Sequence, residues 1–158
     1  MILSILQILV FTTYIIFILR KQGGIPSSIS SSWYFLPSGK KWLFTMFCWG
    51  IAIPMVAQGG LLFVASAIGM GFTGVAVNYK GTLWMVPYIH YTGATICIFF
   101  ALAGLYFEYG LIAPALIFIV SSLLHIIGNH LYPETMKNPV WWVEIYAFLT
   151  ISIGLLVK

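Results

Sequence analysis

Six predominantly apolar runs, at residues 2–19, 42–57, 60–77, 83–107, 111–131 and 140–157, dominate the chain. Within them apolar positions are near-continuous rather than alternating, and ~20 such residues make a helix that crosses the hydrocarbon core of a bilayer. A β-barrel would need strands alternating polar and apolar, and that pattern is absent. The prediction is an all-α membrane protein: one integral membrane domain over residues 1–158, built as a six-transmembrane-helix bundle. Read together, the second and third runs would make a single span too long for one crossing, so "AQGG" (57–60) is read as a turn between two short spans. That link and "FEYG" (107–110) make the second and third, and the fourth and fifth, spans antiparallel neighbours.

Charge orients the bundle. The one long connection, residues 22–41, is flanked by Arg20, Lys21, Lys40 and Lys41 and belongs in the cytoplasm by the positive-inside rule. Lys80 and Lys137 return to that side after two further spans each, leaving only Lys158 of the seven basic residues outside. Both termini then lie on the non-cytoplasmic side. Trp33, Trp42, Trp84, Trp141 and Trp142 fall at or near cytoplasmic helix ends, where indoles favour the headgroup layer, whereas Tyr106 and Tyr109 mark the opposite face and Trp49 lies deeper.

Composition agrees. Apolar side chains make up 61% of the chain and charged ones 6%, against roughly a quarter charged in soluble domains. No soluble module is expected, and the expected location is a cytoplasmic or inner-type membrane. A net charge of +4 from dispersed lysines and arginines forms no basic face, which argues against nucleic acid. Cys48 and Cys97 sit inside apolar runs and read as small packing residues rather than a disulfide or metal pair. Small-residue stripes (Gly93, Cys97, Ala101 and Gly104; Ala65 and Gly69; Ala67 and Gly71) read as helix-packing seams. Pro54 and Pro114 are expected to kink their helices.

The chemistry concentrates in one shallow layer. Glu144, one of three acidic residues, lies about 6 Å along the last helix from its cytoplasmic end. His90 on the fourth span and His125 on the fifth fall about 6–10 Å in from that same side. Ser121, Ser122, His125 and Asn129 recur at three- and four-residue intervals, a polar stripe on a greasy helix. Asn78, Tyr88, Tyr91 and His130 lie near the same boundary. Ionisable groups at membrane depth face the bundle interior and pair with one another, so Glu144 is expected to bond His90 or His125.

Three uses fit these residues: a structural polar knot; a proton or cation site in a transporter or channel, formed by His90, His125 and Glu144 with Asn129 and Ser122 beside them; or a metal site in a membrane-embedded enzyme. In the last, His90, His125 and Glu144 would hold zinc or iron. Otherwise no cofactor is expected. His125 and His130, five apart, point about 140° from each other on a helix and would not grip one ion together. The serine-rich loop "GGIPSSISSSWYFLPSGKK" (23–41) is too apolar for a free linker and is read as a headgroup-anchored connector or a lid over the polar layer. No G-x-S-x-G turn marks a serine nucleophile in it.

The order "LRKQGGIPSSISSSWYFL…GKKWLF", then greasy spans and "IHYTGA", resembles a group of small multi-spanning membrane proteins met in phage and gut-bacterial genomes. That resemblance implies a membrane location and no activity. Membrane hydrolases of the alkaline ceramidase and adiponectin-receptor kind carry a paired-histidine motif in a seventh span, and the last span here has no histidine. The favoured reading is a transporter-like protein handling protons, ions or a small solute, with the lipid bilayer and a homo-oligomer or partner membrane helices as its associations. The alternatives are the metal-dependent enzyme and an accessory scaffold.

Overall fold

The structure, a computed structural model, describes residues 2–76 and 85–158. Seven α-helices and no strand appear among them: α1 (Ile2–Gln22), the single-turn α2 (Ser32–Phe35), α3 (Trp42–Ala57), α4 (Leu61–Ala76), α5 (Met85–Tyr109), α6 (Ala113–Leu131) and α7 (Pro139–Val157). Four helical stretches, Ile2–Gln22, Tyr88–Tyr109, Ala113–Leu131 and Pro139–Val157, are long and apolar enough to cross a membrane. This is the mark of a membrane protein. Helix α3, of 16 residues, reaches about 24 Å, short of the ~30 Å core, and α4 is described over 16 residues. Asn78, Lys80 and Trp84, with the end of the third expected span and the start of the fourth, lie outside the described residues.

The bundle is greasy outward as well as inward, and several of its few polar side chains are turned inward. On α1 the buried residues are Ser4, Gln7, Phe11, Tyr14 and Ile18, one helical stripe that includes two polar side chains from within the apolar run, while Ile2, Ile5, Leu6, Leu9 and Ile16 face out. Helix α6 shows the same pattern, with Ser122 and Gly128 buried and Leu123, Leu124, Ile126 and Ile127 exposed. Water would not tolerate such surfaces; lipid selects them.

Helices α4 and α5 share the closest seam. A Cβ on Gly69 would stand 2.6 Å from the Cys97 backbone nitrogen and 2.7 Å from the Gly93 carbonyl oxygen, so the two backbones touch. Ser66 Oγ donates to the Cys97 carbonyl at 2.6 Å, and Gly104 receives the Phe63 ring. Gly71 lies off this seam, with nothing within 4 Å of its would-be Cβ. Helix α3 packs on α4 through Gly74 against Cys48, and Thr45 Oγ1 donates to the Gly74 carbonyl at 2.9 Å. Helix α1 runs between α3 and α7. Helix α6 leans mainly on α7 and only slightly on α5, although a short link joins it to α5.

Two sequence expectations change. Pro114 does not kink a helix: it stands at the start of α6, where its missing N–H costs nothing. Trp141 is not a headgroup anchor, being 3% exposed inside the core, whereas Trp49, at 46%, faces outward. Cys48 and Cys97 are buried free thiols.

A cap on α4 was not foreseen. The α3–α4 turn passes through Gly59 and Gly60, both at positive φ (81° and 88°). Glu108, from the last turn of α5, lies against Gly60 and accepts the Leu62 N–H at 3.1 Å, setting a carboxylate on the first turn of α4. Replacing Glu108 with alanine is expected to cost about 1 kcal/mol, the worth of a helix cap. Gly60→Ala should cost more, because its Cβ would fall on the carboxylate and its φ is strained for an L-residue. Melting temperatures of the two purified variants check the order.

Candidate functional site

The serine-rich segment is a folded plug. Ser28 and Ser31 cap each other: Ser28 N–H donates to Ser31 Oγ at 3.2 Å and Ser31 N–H to Ser28 Oγ at 2.9 Å. This reciprocal pattern is that of a capping box, and it starts the helical turn that becomes α2. Ile29, Ser32 and Leu36 are buried beneath it. Three ties hold the plug in the bundle's end: Tyr14 Oη to Ser32 Oγ at 2.6 Å, Trp141 N–H to the Ser27 carbonyl at 3.2 Å, and Asn138 Nδ2 to the Ile25 carbonyl at 3.1 Å.

The fourth tie runs through Glu144. The Ile29 N–H donates to Glu144 Oε2, and Ser30 Oγ donates to Glu144 Oε1 at 3.2 Å. Glu144 has no salt bridge among the described residues, where the ion pair seen joins Lys137 and Glu134. Its partner is therefore the loop, not a histidine, which corrects the pairing expected from depth alone.

Glu144 and Ser30 also line a half-open cavity of about 100 Å³ between α1, α3, α4, α5 and α7. Of the two histidines expected beside Glu144, His90 reaches this cavity, and its Nδ1 is buried without a hydrogen-bond partner. Thr73 adds a hydroxyl nearby, and Gln7 lines the far end with a buried Oε1 that also lacks a partner. Between these polar ends the walls are apolar, with Phe11, Phe47, Met55 and Phe148 among them.

The length of the cavity follows from helix register. Ser4 Oγ donates to the Leu155 carbonyl and Phe11 stacks on Phe148, so α1 and α7 run antiparallel with Gln7 level with Ser152. Glu144 lies eight residues from Ser152 along α7, about 12 Å at the rise of an α-helix. By probe volume one water needs ~10–15 Å³, so the space holds a molecule of several heavy atoms.

His125 does not join the site. It packs against Trp142 and lies 3.4 Å from the Tyr146 hydroxyl. Residues 142 and 146 each stand two positions from Glu144, hence about 160° around α7 from it. Helix α7 thus separates His125 from Glu144, and the three-ligand set His90, His125 and Glu144 for zinc or iron is not assembled. Among the described residues no three His, Cys, Asp or Glu side chains converge to hold a metal. Ser122 is buried with its Oγ unpartnered, and Asn129 Nδ2 donates to the Met136 carbonyl, closing the α6–α7 turn; neither lines the cavity.

Sequence reasoning missed Gln7, Ser30 and Thr73. Gln7 had a signal, a lone amide in the middle of an apolar helix, which membrane depth makes costly unless used. Compared with known proteins, the chain matches no family model, no curated protein and no solved structure.

Proposed function

We propose that the chain is a small transporter-like membrane protein that takes a proton or small cation into the cavity beneath the serine-rich plug, with Glu144 as the anionic group and His90 as its neighbour. One observation carries the reading: a carboxylate on a membrane-crossing helix lines a cavity, held by Ile29 and Ser30 donors of a loop and by no fixed cation among the described residues. A structural knot would close its own valences. Here Glu144 keeps unused acceptor capacity, and two residues of the same lining, His90 and Gln7, each carry a buried polar atom without a partner.

The plug would be the gate. Six crossings, with both termini on the non-cytoplasmic side of a cytoplasmic or inner-type membrane, complete the proposal. The plug, its flanking basic residues and the Lys137 turn lie together at one end of the bundle, tied through Asn138 to Ile25, while Lys158 at the other end donates to the Tyr109 hydroxyl. This grouping supports a positive-inside arrangement.

Proteoliposomes carrying internal reporters of H⁺ and K⁺ test the function. The native protein is expected to dissipate an imposed gradient of one ion at least fivefold faster than Glu144→Gln. Equal rates for the native protein, the variant and protein-free liposomes would overturn the reading.

A further inference from the structure

We infer that the cavity binds a short linear alkylammonium-type amphiphile, its charged head at Glu144 and Ser30 and its tail along the apolar walls toward Gln7. The inference rests on the reading of this cavity as the solute site and names the chemical class it takes.

The head follows from the valences left open. Ile29 and Ser30 use three of the carboxylate's about four acceptor positions, and the remaining one is left for the guest. Gln7 Oε1 is a second acceptor, and Gln7 is 1% exposed. His90 Nδ1 accepts in one tautomer of the neutral imidazole. An anionic wall calls for a cation, and a donor on the guest satisfies the carboxylate's remaining lone pair. An anionic or purely apolar guest would leave the carboxylate facing an uncompensated neighbour.

The tail follows from shape. About 12 Å separates the polar ends, and the space between them is narrow, about 100 Å³ in all. Its walls are mostly aromatic, aliphatic and thioether side chains, which favour an apolar filling over water. Phe11, stacked on Phe148 and tilted against Phe47, makes part of this wall aromatic. A small inorganic ion occupies only the carboxylate end of this length; a linear alkyl chain on the cation extends along the apolar walls.

Titration calorimetry in zwitterionic nanodiscs, with empty nanodiscs subtracted, tests the class using hexylammonium, hexan-1-ol and hexanoate. Hexylammonium is expected to bind the native protein saturably, at least tenfold tighter than either of the other two. Glu144→Gln should weaken it at least tenfold, and Ala94→Leu, which fills the cavity wall away from the carboxylate, should block it. If the alcohol or the carboxylate binds as tightly as the amine, and Ala94→Leu blocks it, the cavity is a binding site but the cationic class is wrong. Unchanged binding in Glu144→Gln, or no saturable binding of any probe, also overturns the inference. The ion-flux measurement then decides the transport reading by itself. Should Glu144→Gln fail to reconstitute, the comparison of the three probes on the native chain decides alone.

Discussion

Leucine at Gly69 is expected to prevent recovery of a folded protein, or to lower its melting temperature by about 10 °C or more, whereas leucine at Gly71, two residues on in the same helix, should be neutral or mildly stabilising. At Gly69 the new Cβ meets backbone, the Cys97 nitrogen at 2.6 Å and the Gly93 oxygen at 2.7 Å, with the Ile96 side chain at 2.8 Å. Backbone cannot swing aside as a side chain can, so α4 and α5 must separate. Overpacking typically costs 1–3 kcal/mol, and more when the main chain must move. At ~2–4 °C per kcal/mol for a chain of this size, the fall is about 10 °C. At Gly71 nothing stands within 4 Å, and replacing glycine inside a helix gains about 1 kcal/mol of propensity. Heating each variant in detergent and following the monodisperse peak by size-exclusion chromatography checks the contrast. Equal behaviour of the two variants would mean that the α4–α5 seam is not where it is described.

That pair also shows what the sequence can and cannot tell. Ala65–Gly69 and Ala67–Gly71 carry the same four-residue spacing, and both read as seams. Only the three-dimensional partner separates them: Gly69 faces Gly93, and Gly71, about 160° around the helix, does not. The long apolar helices were legible because lipid demands uninterrupted greasy surface, a local property of the chain. Depth was legible too, since the 1.5 Å rise places His90, His125 and Glu144 at one level. Azimuth was not. Nothing local says that α6 packs on the face of α7 opposite Glu144, and this placement sends His125 to Trp142 and Tyr146 instead of to the carboxylate. The Glu144–loop bond spans 115 residues of sequence and depends on amides of the main chain, which every residue possesses. The serine content of 28–31 did carry a signal, but of a capping box and not of a solvated linker.

Glu144→Leu is expected to release the plug. The substitution keeps the bulk of the side chain but removes both acceptors, leaving the Ile29 N–H and the Ser30 hydroxyl to find new partners at the end of a largely apolar cavity. A buried donor stripped of its partner costs about 1–3 kcal/mol, so two cost about 2–6 kcal/mol. Undocking lets both donors reach water, and each ~1.4 kcal/mol shifts the closed-to-open ratio tenfold. The open population of residues 23–41 should therefore rise at least about thirtyfold, tempered by the Tyr14, Trp141 and Asn138 ties that survive. A cysteine replacing Ile29, 5% exposed in the closed plug, cannot report this without disturbing the core; Ser28→Cys disturbs the capping pair. Limited proteolysis of the otherwise native loop is the cleaner measurement. Cleavage within 23–41 should accelerate at least tenfold in Glu144→Leu, while Glu144→Gln, which keeps one carbonyl acceptor, should fall between the variant and the native chain. Unaccelerated cleavage would show that the three remaining ties hold the plug by themselves, and the carboxylate could then not serve both as its latch and as the binding group of the cavity. An accelerated rate would link the two roles physically, because any cation that draws the Glu144 oxygens toward the cavity weakens the bonds that keep the plug shut.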